Sequence, residues 1–275
     1  MIDAMEQVAR AAVLEAGELI RKHVGNRSSI SVTLKGPSDF VTQIDRACEE
    51  LIIGAIRSRF PDHHIMAEES TNDGFQEGIT WIIDPLDGTT NFIHGFPFVA
   101  ISVAVCENGV PLVGLVLDPL REELFSAARG AGAFMNGEPI RVRESATPGD
   151  ALIATGFPYR TRKIIEPYLA SLRHIFEVVS GIRRAGAAAL DLAYVAAGRV
   201  DGFWEPGLAP WDVAAGALLV QEAGGVVSDF WGNGHHIANG HIVAGTPVVQ
   251  PFLLEQVKTH LTPAVEQKRR EGEMR

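Results

Sequence analysis

The chain has 275 residues, of which 46% are hydrophobic and 21% are charged, and its formal net charge at pH 7 is −10. This composition is typical of a folded globular protein and excludes a disordered chain, a collagen and a coiled coil. Because an acidic surface repels a polyanion, we expect no primary nucleic-acid binding. A small phosphate could still bind where a metal ion reverses the local charge.

Cysteine content and hydropathy indicate the compartment in which the chain works. Its two cysteines, Cys48 and Cys106, lie in apolar segments, which predicts buried thiols and a reducing, cytoplasmic compartment. No segment approaches about 18 consecutive apolar residues. We therefore expect neither a membrane span nor a membrane partner.

The first half of the chain predicts two helices and then a run of antiparallel strands. Apolar residues recur at helical spacing from the N-terminus to about Gly25, and again over residues 45–60, where Pro61 ends the pattern. Short apolar runs at 65–67 and 81–83 each end in acidic residues. Apolar runs separated by turn residues predict a β meander over 99–105, 110–117 and 124–128.

The second half alternates strands and helices, which favours a sheet covered by helices. The predicted helices cover 164–179, 187–197, 211–222 and 248–261. A polar stretch around Thr147-Pro148-Gly149 separates the two halves. We therefore divide the chain into an N-terminal α+β half with helices and an antiparallel sheet (1–147), a C-terminal α/β half (148–265) and a frayed tail (266–275).

Three acidic clusters are the strongest chemical signal. Glu68 and Glu69 follow one apolar run, Asp84 and Asp87 follow another, and Asp212 opens a predicted helix. Acids at the ends of neighbouring strands converge, and oxygen ligands without His or Cys select Mg²⁺ or Mn²⁺ over zinc or iron. Taken singly, each acid is equally well explained as a helix cap or a solvated surface residue. Together they predict a like-charge repulsion that a cation relieves.

The turn Asp84-Pro85-Leu86-Asp87-Gly88 gives the most specific indication of a binding site. Pro85 stiffens it, and Gly88 lets the backbone approach a ligand. Two carboxylates three residues apart can bind metal ions from one loop, Thr89 adds a hydroxyl, and the amides after Gly88 can face an anion at a helix start. No motif for a nucleophilic Ser or Cys is present, so a water molecule bound at such a metal site is favoured as a nucleophile over a side chain of the protein.

Several basic and imidazole residues leave alternatives open. Arg183 and Arg184 face either a substrate or a dimer partner, and the sequence does not separate the two. The pairs His63-His64 and His235-His236 are interpreted as solvated loop residues, because adjacent imidazoles do not face one site.

Two motifs resemble the signatures of the inositol monophosphatase family. The first is Trp81-Ile82-Ile83-Asp84-Pro85-Leu86-Asp87-Gly88-Thr89-Thr90-Asn91-Phe92, and the second combines Trp211-Asp212-Val213-Ala214-Ala215-Gly216 with Glu222-Ala223-Gly224-Gly225. The resemblance runs from Ala11 to about Gly245 and is strongest to the bacterial SuhB-type inositol-1-monophosphatases. It implies an α+β fold, a layered αβαβα sandwich of the inositol monophosphatase / fructose-1,6-bisphosphatase type.

The resemblance also implies two to three Mg²⁺ ions, with Mn²⁺ as a substitute. Glu68, Asp84 and the backbone carbonyl of Leu86 would hold the first ion. Asp84, Asp87 and Asp212 would hold the second, and Glu68 would contribute to a weaker third site.

The remaining site residues are implied in the same way. Thr89, supported by Asp45, would position the attacking water. We further expect Glu68 to help to deprotonate this water. Amides of the turn at Gly88 and Thr89 would hold the phosphate. Substrate contacts are implied for Asp87, Gly88, Thr89, Gly186, Ala187, Ala188, Glu205 and Asp212.

The expected function is therefore Mg²⁺-dependent hydrolysis of a small phosphorylated polyol, namely myo-inositol 1-phosphate to myo-inositol and phosphate. Glu205 favours a polyol, because its carboxylate can accept hydrogen bonds from ring hydroxyls. One alternative is another small phosphate, such as fructose 1,6-bisphosphate, histidinol phosphate or adenosine 3′,5′-bisphosphate. Another is a phosphatase fold used mainly as an interaction module. The resemblance further implies a homodimer and inhibition by Li⁺.

Overall fold

The computed structural model describes residues 2–25, 32–36, 39–70, 74–144 and 147–272. The α-helices of this part of the chain are α1 (Ile2–His23), α2 (Gln43–Arg59), α3 (Thr89–His94), α4 (Ile165–Phe176), α5 (Ala188–Ala196), α6 (Pro210–Glu222), α7 (His236–Asn239), α8 (Val249–His260) and α9 (Thr262–Arg270).

The strands fall into three sheets. They are β1 (Val32–Gly36), β2 (Asp39–Thr42), β3 (His64–Ala67), β4 (Ile79–Asp87), β5 (Ala100–Glu107), β6 (Val110–Asp118), β7 (Glu123–Ala128), β8 (Gly132–Met135), β9 (Glu138–Ile140), β10 (Leu152–Thr155), β11 (Gly181–Arg183), β12 (Gly202–Glu205), β13 (Val226–Ser228) and β14 (Ile242–Gly245). A seven-stranded sheet runs β3-β4-β5-β6-β7-β8-β9, a five-stranded sheet runs β11-β10-β12-β14-β13, and β1 pairs with β2.

The two large sheets and their helices stack in five layers. Helices α1 and α2 cover one face of the seven-stranded sheet, and α5 and α6 cover its other face. The five-stranded sheet packs on the far side of α5 and α6, and α4, α8 and α9 close the outer side. The result is the αβαβα sandwich that the resemblance implies, so the fold prediction is confirmed.

Strand β5 shows why the central sheet lies inside these layers. Ile101, Val103 and Val105 face the core beneath α1 and α2, whereas Ala104 and Cys106 face the core around α6. A strand covered on both faces is apolar at almost every position. The continuous apolar run seen in the sequence is therefore the mark of a buried central strand.

Three parts of the chain differ from the sequence expectations. The expected frayed tail is helical as far as Arg270, because α9 packs Val265 into the outer core. His63 stacks on Phe60 and accepts a hydrogen bond from Trp81 Nε1 at 3.0 Å, so it is not simply solvated. His236 opens α7 and is buried. Local composition did not reveal these positions, because long-range packing determines them.

Among the helices of the described residues, none combines the length and the apolarity that a membrane crossing requires.

Candidate active site

An irregularity in β4 places two of the predicted metal ligands side by side. Asp84 pairs with Ser102 and Asp87 pairs with Ala100. Strand β4 therefore contains one more residue than β5 between these two pairs. Residues three apart in a regular strand point to opposite faces. The extra residue is a β-bulge, and it turns Asp87 to the face of Asp84. Both side chains line one cavity.

The N-terminus of α2 fixes Asp45 beneath Thr89. Thr42 caps this helix by accepting from the backbone N–H groups of Ile44 and Asp45, and Asp45 Oδ2 accepts the Thr42 N–H at 3.0 Å. This capping box leaves Asp45 Oδ1 to accept a hydrogen bond from Thr89 Oγ1 at 2.9 Å. The Thr89 hydroxyl also lies 3.1 Å from the carbonyl oxygen of Leu86. The geometric pairing of Thr89 with Asp45 is thus present, whereas its role in catalysis stays a prediction.

Asp212 enters the cavity from the first turn of α6. Its Oδ2 accepts the backbone N–H of Ala209 at 2.7 Å, which anchors the helix start behind Pro210. The same oxygen accepts a hydrogen bond from Arg160 Nη1 at 2.6 Å. Ser102 on β5 donates to the carbonyl oxygen of Trp211 at 3.0 Å, which ties this helix start to the central sheet.

Two contacts join the acidic turn to the C-terminal half. Asp87 Oδ2 accepts the backbone N–H of Ala189 at 2.8 Å, in the first turn of α5, where a carboxylate is stabilised by the helix dipole. Asn91, just after this turn, donates from Nδ2 to the carbonyl oxygen of Ala185 in the C-terminal half at 2.9 Å, and also to that of Phe98 within the N-terminal half at 2.7 Å. These contacts hold the segment at Gly186 against the cavity.

Gly88 is required by its position in the turn. Its φ is +90°, and a Cβ there would lie 3.0 Å from the carbonyl oxygen of Phe98. An L side chain would therefore meet both backbone strain and a close contact. The glycine lets Thr89 begin α3 with its backbone at the cavity wall.

The cavity has a volume of about 320 Å³ and brings most of the predicted site together. It is lined by Glu68, Asp84, Leu86, Asp87, Gly88, Thr89, Thr90, Asn91, Tyr159, Arg160, Arg184, Gly186 and Asp212. Of the other predicted site residues, Asp45 lies behind Thr89, and Ala187, Ala188 and Glu205 lie outside this lining. Arg184 lines the cavity and Arg183 does not.

Glu205 occupies space that a glycine provides. A Cβ on Gly156 would lie 1.9 Å from Glu205 Oε2, so the carboxylate packs directly against this backbone. Burial raises the pKa of Glu205 to about 8, with Arg184 opposing this shift and the charges of Asp212 and Asp87 adding to it. The pKa of Glu205, in its position beside Gly156, therefore depends on the charges of the cavity acids.

The acids in the cavity repel one another. Burial raises the pKa of Asp84 well above its usual range, and the charges of Glu68, Asp87 and Asp212 raise it further. Burial and the charge of Asp212 raise the pKa of Asp87 to about 7. Such a concentration of like charge is costly in a folded protein unless a cation compensates it.

The donor chemistry fits a hard divalent cation. Four carboxylates and a backbone carbonyl offer oxygen ligands only, which is the set that Mg²⁺, Mn²⁺ and Ca²⁺ prefer. Within the described residues, however, no three acidic, His or Cys side chains lie close enough together to enclose an ion. The residues thus fit a divalent cation by their chemistry, whereas the positions of their side chains in this structure do not enclose one.

Four cavity residues were not among the site residues predicted from the sequence: Thr90, Asn91, Tyr159 and Arg160. Arg160 lies in the segment that follows β10, at the same sheet edge where β12 ends in Glu205. Parallel neighbouring strands end together, so a basic residue just beyond β10 was a usable signal. The guanidinium of Arg184 packs over the rings of Phe157 and Tyr159, at 5.3 and 5.0 Å from their centroids.

The layers and the acid-lined cavity define an α+β sandwich of the inositol monophosphatase / fructose-1,6-bisphosphatase type. A model of the inositol monophosphatase family matches residues 1–265, and the chain belongs to this family. The family prediction made from the two sequence motifs is therefore confirmed.

Individual relatives agree with this assignment. The chain is 49% identical over 269 residues to a Nus factor SuhB from Pseudomonas aeruginosa, covering 95% of this chain and 98% of the relative. It is 44% identical over 260 residues to an inositol-1-monophosphatase from Mesorhizobium japonicum, covering 94% and 98%. The crystal structure of the extragenic suppressor protein suhB from Bartonella henselae matches with a TM-score of 0.88 at 42% identity, covering 93% of this chain and 98% of that one.

Proposed function

We propose that the chain is a Mg²⁺-dependent phosphatase that hydrolyses the phosphate monoester of a small polyol, with myo-inositol 1-phosphate as the first candidate. One observation carries the proposal: the Thr89 hydroxyl is held by Asp45 at the edge of a cavity lined by four carboxylates. This arrangement combines a group that can orient water with a donor set that suits divalent cations.

The residues divide the reaction between them. Thr89, oriented by Asp45, would hold the attacking water, and Glu68 would accept its proton. The backbone at Gly88 and Thr89 would hold the phosphoryl oxygens. The water oxygen bonds to phosphorus as the bond from phosphorus to the polyol oxygen breaks, and the leaving oxygen takes up a proton. Divalent cations held by Glu68, Asp84, Leu86, Asp87 and Asp212 would neutralise the phosphoryl charge and stabilise the leaving oxygen.

The finer properties are part of the same proposal; the cytoplasmic location rests on the two buried cysteines, and the others rest on the family resemblance. They are two to three Mg²⁺ ions with Mn²⁺ as a substitute, inhibition by Li⁺, a homodimeric state and a cytoplasmic location. Substrate hydroxyls would be recognised by Glu205 and by the backbone of residues 186–188. Fructose 1,6-bisphosphate, histidinol phosphate and adenosine 3′,5′-bisphosphate remain the alternative substrates.

A panel of phosphate esters with the metal-depleted protein tests this proposal. Inorganic phosphate release should be absent in EDTA, should appear on addition of Mg²⁺, and should be fastest with myo-inositol 1-phosphate. Release that is equally fast in excess EDTA would contradict metal dependence. A preference for one of the other three esters would keep the reaction class and change the substrate.

A second candidate function is a role in transcription, and the supporting observation is that relatives at 45–49% identity are named Nus factor SuhB. The net charge of −10 favours a protein contact over direct nucleic-acid binding in such a role. The Asp84→Asn variant separates the two functions. If it loses phosphatase activity but still alters elongation by purified bacterial transcription complexes, the chain acts there as an interaction module.

A further inference from the structure

Arg160 brings a positive charge into the acidic cavity. Its Nη1 atom donates to Asp212 Oδ2 at 2.6 Å, and the carboxylate that accepts it is only 5% exposed. The carboxylate of Asp212 raises the pKa of the Arg160 guanidinium, and Glu68 and Asp84 raise it further. The guanidinium therefore stays charged and lies within the field of three of the predicted metal ligands.

The segment that carries Arg160 is not a rigid helix. Arg160 lies on the 3-10 turn Tyr159–Ile164, which joins β10 to α4, and Thr161 within this turn has non-helical dihedrals of −135° and 47°. The Arg160 side chain is 49% exposed. A long side chain on such a turn can leave Asp212 for solvent without disturbing β10 or α4.

The hydrogen bonds of Asp212 show what this contact does to a ligand. Its Oδ2 already accepts the Ala209 N–H and the Arg160 N–H, so this oxygen is not available to a cation while both bonds are present. The Ala209 bond belongs to the helix start and stays. The Arg160 bond is the one that a rearrangement can remove.

We propose that Arg160 is a displaceable internal counter-ion, which neutralises the acidic cavity in the metal-free protein and competes with a divalent cation for Asp212. This inference rests on the proposed function, because it concerns the second of the predicted metal sites. It assigns to Arg160 a role in metal affinity rather than in forming the fold.

Binding of Mn²⁺ measures the competition without any turnover. We expect the Mn²⁺ affinity of the site that includes Asp212 to be about tenfold higher in Arg160→Gln than in the wild type, as followed by electron paramagnetic resonance of the free ion. An ion pair with one half-exposed partner is worth about this factor. The control is Arg173→Gln, which removes the same charge from an exposed position of α4 where the ion-pair partner, Glu177, is also exposed, and it should bind Mn²⁺ like the wild type.

Thermal unfolding supplies a second readout. In EDTA, Arg160→Gln should melt at a lower temperature than Arg173→Gln, because Asp212 loses its counter-ion. At saturating Mg²⁺ the difference should disappear, because the ion replaces the guanidinium. A merely structural role of Arg160 would lower the melting temperature equally under both conditions, and that result would overturn the inference.

The outcomes separate this inference from the proposed function. If the wild type binds no Mn²⁺, both fail. If the wild type binds Mn²⁺ and Arg160→Gln binds it no more tightly, only the role of Arg160 fails. Arg160→Lys keeps the charge but loses the planar guanidinium, and its Mn²⁺ affinity should lie between those of the wild type and Arg160→Gln.

Discussion

Two buried aspartates of this protein have the same exposure and opposite surroundings. Asp84 and Asp229 are each 1% exposed. Asp229 accepts hydrogen bonds from the backbone N–H groups of Trp231 and Asn233 and from Asn239 Nδ2, at 2.7–3.1 Å. Asp84 accepts one backbone N–H, from Leu86 at 3.0 Å, and its carboxylate neighbours repel it.

The difference shows how the surroundings of a structural acid differ from those of an acid that we propose to bind a cation. Asp229 is surrounded by hydrogen-bond donors and organises the loop that leads to Gly240 and His241. These two residues accept hydrogen bonds from the backbone N–H groups of Leu208 and Gly207, respectively. Its burial is compensated by the protein itself. The burial of Asp84 is not compensated in this way, and a cation is the simplest group that would compensate it.

The largest effect on turnover should come from replacing one of these two aspartates, Asp84, with asparagine. Asp84→Asn keeps the shape and removes a charge that repels its neighbours, so we expect turnover to fall by at least about 10³-fold. Its metal-free melting temperature should not fall. Phosphate release and thermal unfolding in EDTA measure the two quantities.

The matched variant Asp229→Asn should do the opposite. Replacing an acceptor that serves three donors costs about 1–3 kcal/mol in the free energy of unfolding, whereas turnover per folded molecule should stay near that of the wild type. Near-normal hydrolysis by Asp84→Asn at saturating Mg²⁺ would remove the contrast between the two sites.

A smaller loss is expected at the hydroxyl of Thr89. Thr89→Ala should lower turnover by about 10²-fold, because water positioning and proton transfer are worth this order of magnitude. Thr89→Ser should recover much of the rate, since only the hydroxyl is needed. If Thr89→Ala is less stable yet fully active, Thr89 serves only as the first residue of α3.

Glu205 should have a smaller and selective effect. If its carboxylate recognises a polyol hydroxyl, Glu205→Gln should lower kcat/KM for myo-inositol 1-phosphate by about tenfold, which corresponds to one hydrogen bond to a charged group. Hydrolysis of nitrophenyl phosphate, which carries no polyol, should change little. Equal losses on both substrates would show that Glu205 supports the cavity acids instead.

The smallest expected effect is the pH dependence of stability without metal. The folded protein holds a proton on Asp87 up to about pH 7 and on Glu205 up to about pH 8, whereas the unfolded chain releases both near pH 4. Stability from these groups is therefore lost as pH rises through the folded pKa values. Burial lowers the pKa of His236 to about 4. This shift makes stability rise with pH, but only below about pH 6.5, where the unfolded chain still binds the proton.

Between pH 6.5 and 8 the melting temperature in EDTA should therefore fall, and Asp87→Asn should weaken the fall. Thermal scans of the wild type and this variant across that range provide the measurement. A melting temperature that rises over the same range would contradict the charge balance assigned to Asp87 and Glu205.

Much of this arrangement could be predicted from the sequence, since it depends on local pattern. The apolar run of β5, the turn residues around it and the helical spacing of α2 and α6 identify these elements to within a few residues. The acids at the ends of β3 and β4 converge because those strands are neighbours in the sheet. The motif from Trp81 to Phe92 identified the family.

The remainder depends on contacts that a linear pattern does not encode. Pairing with β5 creates the bulge that aligns Asp84 with Asp87. The carboxylate of Glu205 lies against Gly156, 49 residues away, because β10 and β12 are parallel neighbours. Arg160 reaches Asp212 across 52 residues of sequence through a long side chain. Such positions follow from tertiary packing rather than from residue type.

Stabilisation by Mg²⁺ tests the contrast between the two aspartates most directly. A ligand that binds only the folded state at 100 times its Kd stabilises the protein by about 2.7 kcal/mol. We predict that Mg²⁺ raises the melting temperature of the wild type and of Asp229→Asn by similar amounts and leaves that of Asp84→Asn nearly unchanged. An equal rise in all three proteins would contradict the assignment of the Asp84 cavity as the site that a divalent cation completes.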